Sequence, residues 1–198
     1  MQHLNSRMDD YSQPDFYRFN RDSLELVRWV KEKIFSSDSI LDLGAGCGVI
    51  GLELAAHFKP SILCLVEIQN DYKSFLESNL RFMPAQSTCE IHYSSFSHWR
   101  PSRTYDLIVC NPPYYLPGKG ESARDPRRRM AREFVHDDWH VLLDCIKESL
   151  SSSGKAFLVI KNEPLILKTI KKLVPTASNT TVDDLVFLEL SGLDIQGS

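Results

Sequence analysis

Ser39-Ile40-Leu41-Asp42-Leu43-Gly44-Ala45-Gly46-Cys47-Gly48-Val49 decides the fold: a short apolar strand runs straight into alternating glycines, and a helical stretch follows from Val49 to Phe58. Glycine is the residue of choice where the backbone turns tightly and comes close to a ligand. The helix that starts there points its free amides at anionic or strongly polar groups. The same alternation continues outward. A second buried strand spans Ile62 to Val66 and ends at Glu67, a helix covers Asn70 to Arg81, and a third strand covers Glu90 to Tyr93. Tyr105 to Cys110 makes a fourth strand. A helix from Phe134 to Leu150 is stopped by Ser151-Ser152-Ser153-Gly154, and Lys155 to Ile160 makes a fifth strand. Leu165 to Leu173 is helical, and the alternating stretch Asp184 to Leu190 closes the sheet. Upstream, Leu24, Val27, Val30 and Ile34 recur at helical spacing between Asp22 and Ile34. Strands alternating with helices at this spacing predict a parallel, doubly wound α/β sheet. Ligands of such sheets bind beyond the carboxyl ends of the strands.

A second motif sits at such an end. Asn111-Pro112-Pro113-Tyr114 follows the fourth strand directly. The two prolines fix φ and remove two donors, so the ladder cannot continue. What remains is a rigid elbow with exposed carbonyls, a projecting amide and an aromatic face, suited to a planar, amino-bearing group. The plainer reading is a proline-rich strand exit under an aromatic cover, but Asn, Pro-Pro and an aromatic must then coincide at this one position.

The 198 residues fit one domain spanning 1–198, with residues 1–15 polar and loose and a mobile loop over 115–130 that carries Pro117, Gly118, Gly120 and Pro126. Hydrophobic and charged fractions of 42% and 25% are those of an ordinary globular protein. The five cysteines (47, 64, 89, 110 and 145) form no Cys-x-x-Cys pair, so buried free thiols in a reducing cytoplasm are expected. No signal-peptide layout and no apolar run near eighteen residues is present, which predicts a cytoplasmic protein off the membrane, with no obligate protein partner evident. A net charge of −3 gives no global attraction to nucleic acid, so any RNA contact must come from a local patch.

The glycine loop admits three readings: a methyl-donor site, a dinucleotide site, or glycines kept only for helix–strand packing. The spacing is Gly-x-Gly-x-Gly rather than the Gly-x-Gly-x-x-Gly of dinucleotide sites. Asp42, two residues before Gly44, suits a cationic amino-acid end better than a pyrophosphate. Glu67, nineteen residues after Gly48, can accept both hydroxyls of a ribose. The combination resembles the S-adenosylmethionine loop of Rossmann-like methyltransferases.

Taken with Tyr17-Arg18-Phe19-x-x-Asp22-Ser23, Asn111-Pro112-Pro113-Tyr114 and Ala131-Arg132-Glu133, the chain resembles, over roughly residues 16–161, a family of bacterial tRNA adenine-N6 methyltransferases. These modify the adenine beside the anticodon of a valine tRNA and belong to the small-domain methyltransferase superfamily. The resemblance implies a Rossmann-like class I α/β fold, with a mostly parallel seven-stranded sheet and helices on both faces. It implies that Asp42, Gly44, Ala45, Gly46, Gly48, Glu67 and Ile68 hold S-adenosylmethionine, with Ser95, Phe96 and Asn111. Ser95 stands where family members tend to have an acid, and Ala131-Arg132-Glu133 is one residue shorter than the usual Ala-Arg-His-Glu. Asn111, Pro112, Pro113 and Tyr114 would hold the target base, and the 17–23 segment would close near the cofactor. Methyl transfer to an exocyclic amine needs its lone pair freed and aimed: the Asn111 side-chain carbonyl and the Pro112 backbone carbonyl each take one N–H, and Tyr114 stacks on the plane. A glutamine amide of a protein, or guanine N2 in rRNA, is equally flat and NH₂-bearing, so the elbow alone does not choose among them. A nicotinamide oxidoreductase and a catalytically idle RNA-binding module are the readings outside this chemistry.

Tyr17, Phe19, Tyr115, Arg127, Arg128 and Arg129 are the candidate substrate contacts. Arg124, Arg127, Arg128, Arg129, Arg132 and Lys119 crowd the segment after the elbow, either as a phosphate-gripping lid for an RNA hairpin or as a solvated basic loop. Phe16, Tyr17 and Phe19 could stack on bases or pack on the core. His136 and His140 lie at i and i+4 as zinc ligands do, but the expected Glu is Asp137 and no third ligand is evident, so no metal site is predicted.

Overall fold

A computed structural model describes residues 10–114 and 124–191. Among these residues seven strands form one sheet in the order β3-β2-β1-β4-β5-β7-β6. The strands are β1 Ser39–Leu43, β2 Ile62–Glu67, β3 Thr88–Tyr93, β4 Tyr105–Cys110, β5 Leu150–Lys161, β6 Ser178–Val182 and β7 Leu185–Ser191. β1 to β5 pair in parallel, whereas β7 runs antiparallel between β5 and β6. This is the mostly parallel Rossmann-like sheet expected. The central strands are nearly continuous apolar runs because both of their faces are covered. One face packs Leu41, Leu43, Ile108 and Leu158 against the helical side chains Leu142 and Ile146. The other packs Ile40, Leu65, Val109 and Phe157 against Leu26, Val30, Leu52 and Leu54.

The helices are α1 Arg21–Lys33, α2 Val49–Phe58, α3 Lys73–Asn79, α4 Pro126–Met130, α5 Trp139–Ser149 and α6 Pro164–Leu173. Asn20 caps α1, its side chain accepting from the Asp22 amide, a bond worth about 1 kcal/mol. The apolar stripe of α1 is buried, and Trp29 meets Phe157 edge-on at 5.2 Å.

Several expectations are corrected. The N-terminal segment is not loose from Tyr11 onward: Tyr11 is buried and donates to Glu53 at 3.0 Å, and Ser12 is bonded through both its backbone N and O to the Asn79 amide. Residues 1–9 lie outside the described residues. The helix does end before Ser151–Gly154, at Ser149, but the fifth strand starts at Leu150 rather than Lys155, with that stretch inside it. The stretch bulges out of β5, which pairs Leu150 with Tyr105 and resumes with Lys155 on Leu107. Gly154 lies so close to the Tyr105 carbonyl that a Cβ there would sit 2.8 Å from the oxygen. The helix expected from Phe134 begins only at Trp139, because Asp138 caps it by accepting from the Val141 amide at 2.9 Å. Part of the expected 115–130 loop is helical: Asp125 caps α4 and Pro126 fills its first turn, where no donor is missed. The 115–123 part of that loop lies outside the described residues.

Candidate active site

The sheet order reverses between β1, which leads to β2 and β3, and β4, which leads to β5. A cleft opens at that point, at the strands' carboxyl ends, where doubly wound sheets bind their ligands. The glycine loop, the end of β2 and the elbow after β4 all line it.

Gly44, Ala45, Gly46 and Cys47 form the part of the wall built by the loop. Gly44 and Gly46 have φ of 76° and 55°, which a side chain would strain. The loop is held from behind: the Gly44 and Ala45 amides donate to the Val66 carbonyl at 2.8 and 3.0 Å. Glu67 completes the anchor, its carboxylate accepting from the Gly46 amide and the Gln69 amide, both at 2.8 Å. Glu67 and Ile68 line the cleft, and burial pushes the Glu67 carboxyl above the usual carboxylate range.

Two residues expected to contact the cofactor, Asp42 and Gly48, do not line the cleft. Gly48, with φ of 84°, caps α2 and turns the chain into it. Asp42 is fully buried behind the loop rather than facing the cleft, because its carboxylate is drawn to the α2 backbone and accepts from the Gly51 amide at 2.8 Å. The close approach requires Gly51: a Cβ there would lie 3.0 Å from that carboxylate and 2.8 Å from Leu65.

Burial, with the nearby Glu67 charge, raises the Asp42 carboxyl from about 3.8 to about 7. Between those values the folded chain holds a proton that the unfolded chain has released, so folding stability falls as pH rises through this window. Urea unfolding of the unsubstituted protein between pH 4 and 8 is therefore expected to lose a few kcal/mol relative to Asp42→Asn, and to level off above pH 7. Parallel pH profiles for the two proteins would remove Asp42 as the titrating group.

At the elbow Asn111, Pro112, Pro113 and Tyr114 all line the cleft. The Asn111 amide nitrogen donates to the Ser23 hydroxyl at 3.1 Å, and its Oδ1 is buried with no partner among the described residues. The Tyr114 hydroxyl donates to Asp22 Oδ2 at 2.6 Å. Tyr17, Phe19, Asn20 and Ser23 of the 17–23 segment line the same cleft. Phe16 packs on Tyr72 instead, at 5.2 Å. Ser95 and Phe96 line the opposite side, and Ser95 bonds to His98 Nδ1 at 2.8 Å.

The structure adds residues that the sequence did not disclose. Tyr72 lies against the Gly46 turn, and Gln69 Oε1 is another buried acceptor without a partner among the described residues, as is Asp42 Oδ1 behind the loop. Met130 to Asp137 form one continuous wall. Its end is fixed by Asp137, which accepts from the Phe96 and Ser97 amides at 3.0 and 3.2 Å. Those two bonds tie the end of the wall to the 96–97 turn. His136 precedes the Asp138 cap, so it does not share a helix face with His140. The grouping of metal-ligand spacing among the described residues, Cys64, Glu90 and His92, includes neither histidine.

The arginines divide between the cleft and the exposed surface. Arg127, Arg128 and Arg129 stand on exposed α4 outside the cleft, whereas Arg132 lines it. Arg127 pairs with Asp125 at 2.8 Å and lies over the Phe16 ring, and Arg129 pairs with Glu133 at 3.2 Å. Arg124 and Arg128 are exposed and carry no ion pair among the described residues. Tyr115 and Lys119 lie outside the described residues.

A nucleoside-bearing cofactor fits this donor set. Glu67 beside the loop can accept from ribose hydroxyls, and the partnerless acceptor on Gln69 invites an N–H or O–H donor, since a buried acceptor left unpaired costs about 1–3 kcal/mol.

Residues 18–182 match the family described as methyltransferase small domain. A tRNA1(Val) (adenine(37)-N6)-methyltransferase of Aliivibrio salmonicida is 30% identical over 139 residues, 70% of this chain and 58% of that protein. Its counterpart from Vibrio cholerae serotype O1 is 28% identical over 125 residues, 63% of this chain and 51% of that protein. The chain thus spans about half the length of the curated relatives it matches. Among solved structures, a T. thermophilus 16S rRNA N2 G1207 methyltransferase in complex with AdoMet and guanosine aligns with a TM-score of 0.65 at 19% identity, over 88% of this chain and 43% of that one. A ribosomal protein L11 methylase from Lactobacillus delbrueckii subsp. bulgaricus aligns with a TM-score of 0.60 at 15% identity, over 86% and 78%. Likeness at those identities carries the fold alone, and the two structures act on different classes of substrate.

Proposed function

The chain belongs to the methyltransferase small-domain family, and from that premise we propose that it transfers a methyl group from S-adenosylmethionine to the exocyclic N6 amine of an adenine in tRNA, in the cytoplasm. The observation that carries this reading is the buried, unpartnered Oδ1 of Asn111 at the end of β4. An acceptor held there without a donor is what an incoming amine would satisfy.

When bound, S-adenosylmethionine supplies a methyl group on a positively charged sulfur, already attached to a good leaving group. Gly44 to Gly46, Glu67, Ile68 and Gln69 would hold its nucleoside and amino-acid parts, with Ser95 and Phe96 beside the base. Asn111 Oδ1 and the Pro112 carbonyl accept the two N–H groups of the target amine, which withdraws its lone pair from the ring and turns it toward the methyl carbon. The bound donor would supply its methyl carbon to that nitrogen, with the S–C electron pair left on sulfur. The same two acceptors stabilise the positive charge growing on nitrogen. The proton leaves afterwards, so no general base is needed before attack. Tyr114 offers its ring to the flat substrate.

The tRNA assignment is supported by the names of the curated relatives and by the lead-in segment 17–23 at the cleft. Exposed Arg128, and Arg124 beside it, supply phosphate contacts next to the cleft. Arg128→Ala is expected to weaken RNA binding several-fold and to lower the salt slope by about one unit, with cofactor affinity unchanged. Filter binding across a salt series checks this; an unaltered slope removes Arg128 from the interface. The function itself is tested by incubating the protein with labelled methyl donor and separate pools of tRNA, rRNA and protein, followed by nucleoside analysis. Label as N6-methyladenosine in tRNA is expected. Label confined to protein would assign a glutamine amide instead, and label on guanine N2 in rRNA would move the substrate class.

A further inference from the structure

Two residues at the start of α1 touch the elbow, although 88 to 92 positions of chain separate the partners. Asp22 and Ser23 are each only 5% exposed, so neither is a solvent-facing charge or hydroxyl. The Ser23 hydroxyl takes the Asn111 Nδ2–H, and the Asp22 carboxylate takes the Tyr114 hydroxyl. Their own placement is fixed by the Asn20 cap and by the ion pair between Arg21 and Asp183 at 2.9 Å, which ties the helix start to the β6–β7 turn.

We propose that Asp22 and Ser23 are positioning residues of the methyl-transfer site: Ser23 anchors the Asn111 side chain by its amide nitrogen and so holds the carbonyl toward the cleft, and Asp22 sets the plane of the Tyr114 ring. The inference rests on the function proposed above. An Asn side chain has a donor end and an acceptor end of nearly equal size. Only the acceptor end can take an amine N–H, and the donor end facing the substrate would repel it. With Ser23 accepting Nδ2–H, the acceptor is left for the amine. The prolines at 112 and 113 stiffen the backbone but leave the Asn111 and Tyr114 side-chain torsions free, so these need a second anchor. The anchor lies on the segment whose Tyr17 and Phe19 line the same cleft. Seating of that segment and alignment of the elbow are thereby one event.

The test measures kcat, KM and cofactor Kd on whichever RNA or protein pool accepts label. Ser23→Ala is expected to lower kcat about tenfold with cofactor Kd within about twofold, and Ser23→Thr, which keeps the hydroxyl, to recover most of it. Tyr114→Phe and Asp22→Ala are each expected to lower kcat about tenfold, and the double variant to be no worse than either single one. Where Asp22→Ala melts markedly earlier, Asp22→Asn replaces it in the cycle. A Ser23→Ala kcat within twofold of the unsubstituted protein, or multiplicative Asp22 and Tyr114 effects, overturns the proposal. Label in protein alone sinks the tRNA reading while the kcat comparison still judges the positioning. No label in any pool overturns both.

Discussion

Asn111→Ala is expected to lower the single-turnover methylation rate by about 10²–10³-fold while cofactor binding stays within about twofold. The size follows from the acceptor being preorganised: removing one such group from a charge-stabilising site costs about 3–4 kcal/mol of transition-state energy. Its independence from cofactor affinity follows from position. Asn111 stands at the end of β4, whereas the loop and Glu67 that would carry the nucleoside stand at the ends of β1 and β2. Asn111→Asp should retain more activity than the alanine variant, since a carboxylate still accepts and the Ser23 hydroxyl can reverse its role and donate. Rapid-quench measurement with labelled donor reads the rate, and calorimetry reads the affinity. A loss confined to cofactor Kd, with the bound rate unchanged, would show that Asn111 serves the cofactor and not the amine.

The parts of this arrangement that local chemistry dictates were legible in the chain. Gly44, Gly46 and Gly48 have positive φ, and alternating glycines after an apolar strand announce such a loop. Asn-Pro-Pro-Tyr announces an elbow because proline forbids the alternative. What tertiary pairing dictates was not legible. β6, Ser178–Val182, is exposed at every residue and shows no alternation; it is a strand only because β7 offers it a ladder. The 134–137 end of the cleft wall reads in sequence as the first turn of a helix, and only the Asp138 cap and the grip of Asp137 on the Phe96 and Ser97 amides keep it along the cleft. Asp42 shows the limit most clearly. Its place two residues before a glycine suggests a ligand contact, but the direction of its carboxylate depends on how closely α2 packs, and Gly51 sets that. Gln69 gives no signal at all, since a lone glutamine after a strand has no pattern to read.

Glu67→Ala is expected to weaken cofactor binding about 10²-fold. Two causes combine. On the proposed function the carboxylate would accept from the ribose hydroxyls, and hydrogen bonds to a charged group are each worth about 1.5–3 kcal/mol. The same carboxylate holds the Gly46 and Gln69 amides, so its loss also frees the turn that must be in place before a ligand arrives. Glu67→Gln should fall between, because its amide nitrogen would face one of those two N–H donors. The pH dependence separates the charge from the shape. Burial raises the Glu67 carboxyl in the free protein, so the charged acceptor is present above that raised value and is lost as pH falls through it, sooner than for an ordinary carboxylate. Cofactor affinity of the unsubstituted protein should therefore drop on mild acidification, while Glu67→Gln, which has nothing to titrate there, should bind weakly but evenly. Isothermal titration at a series of pH values on both proteins decides it. An equal acid loss in the glutamine variant would place the titrating group elsewhere and leave Glu67 with only its structural grip on the loop.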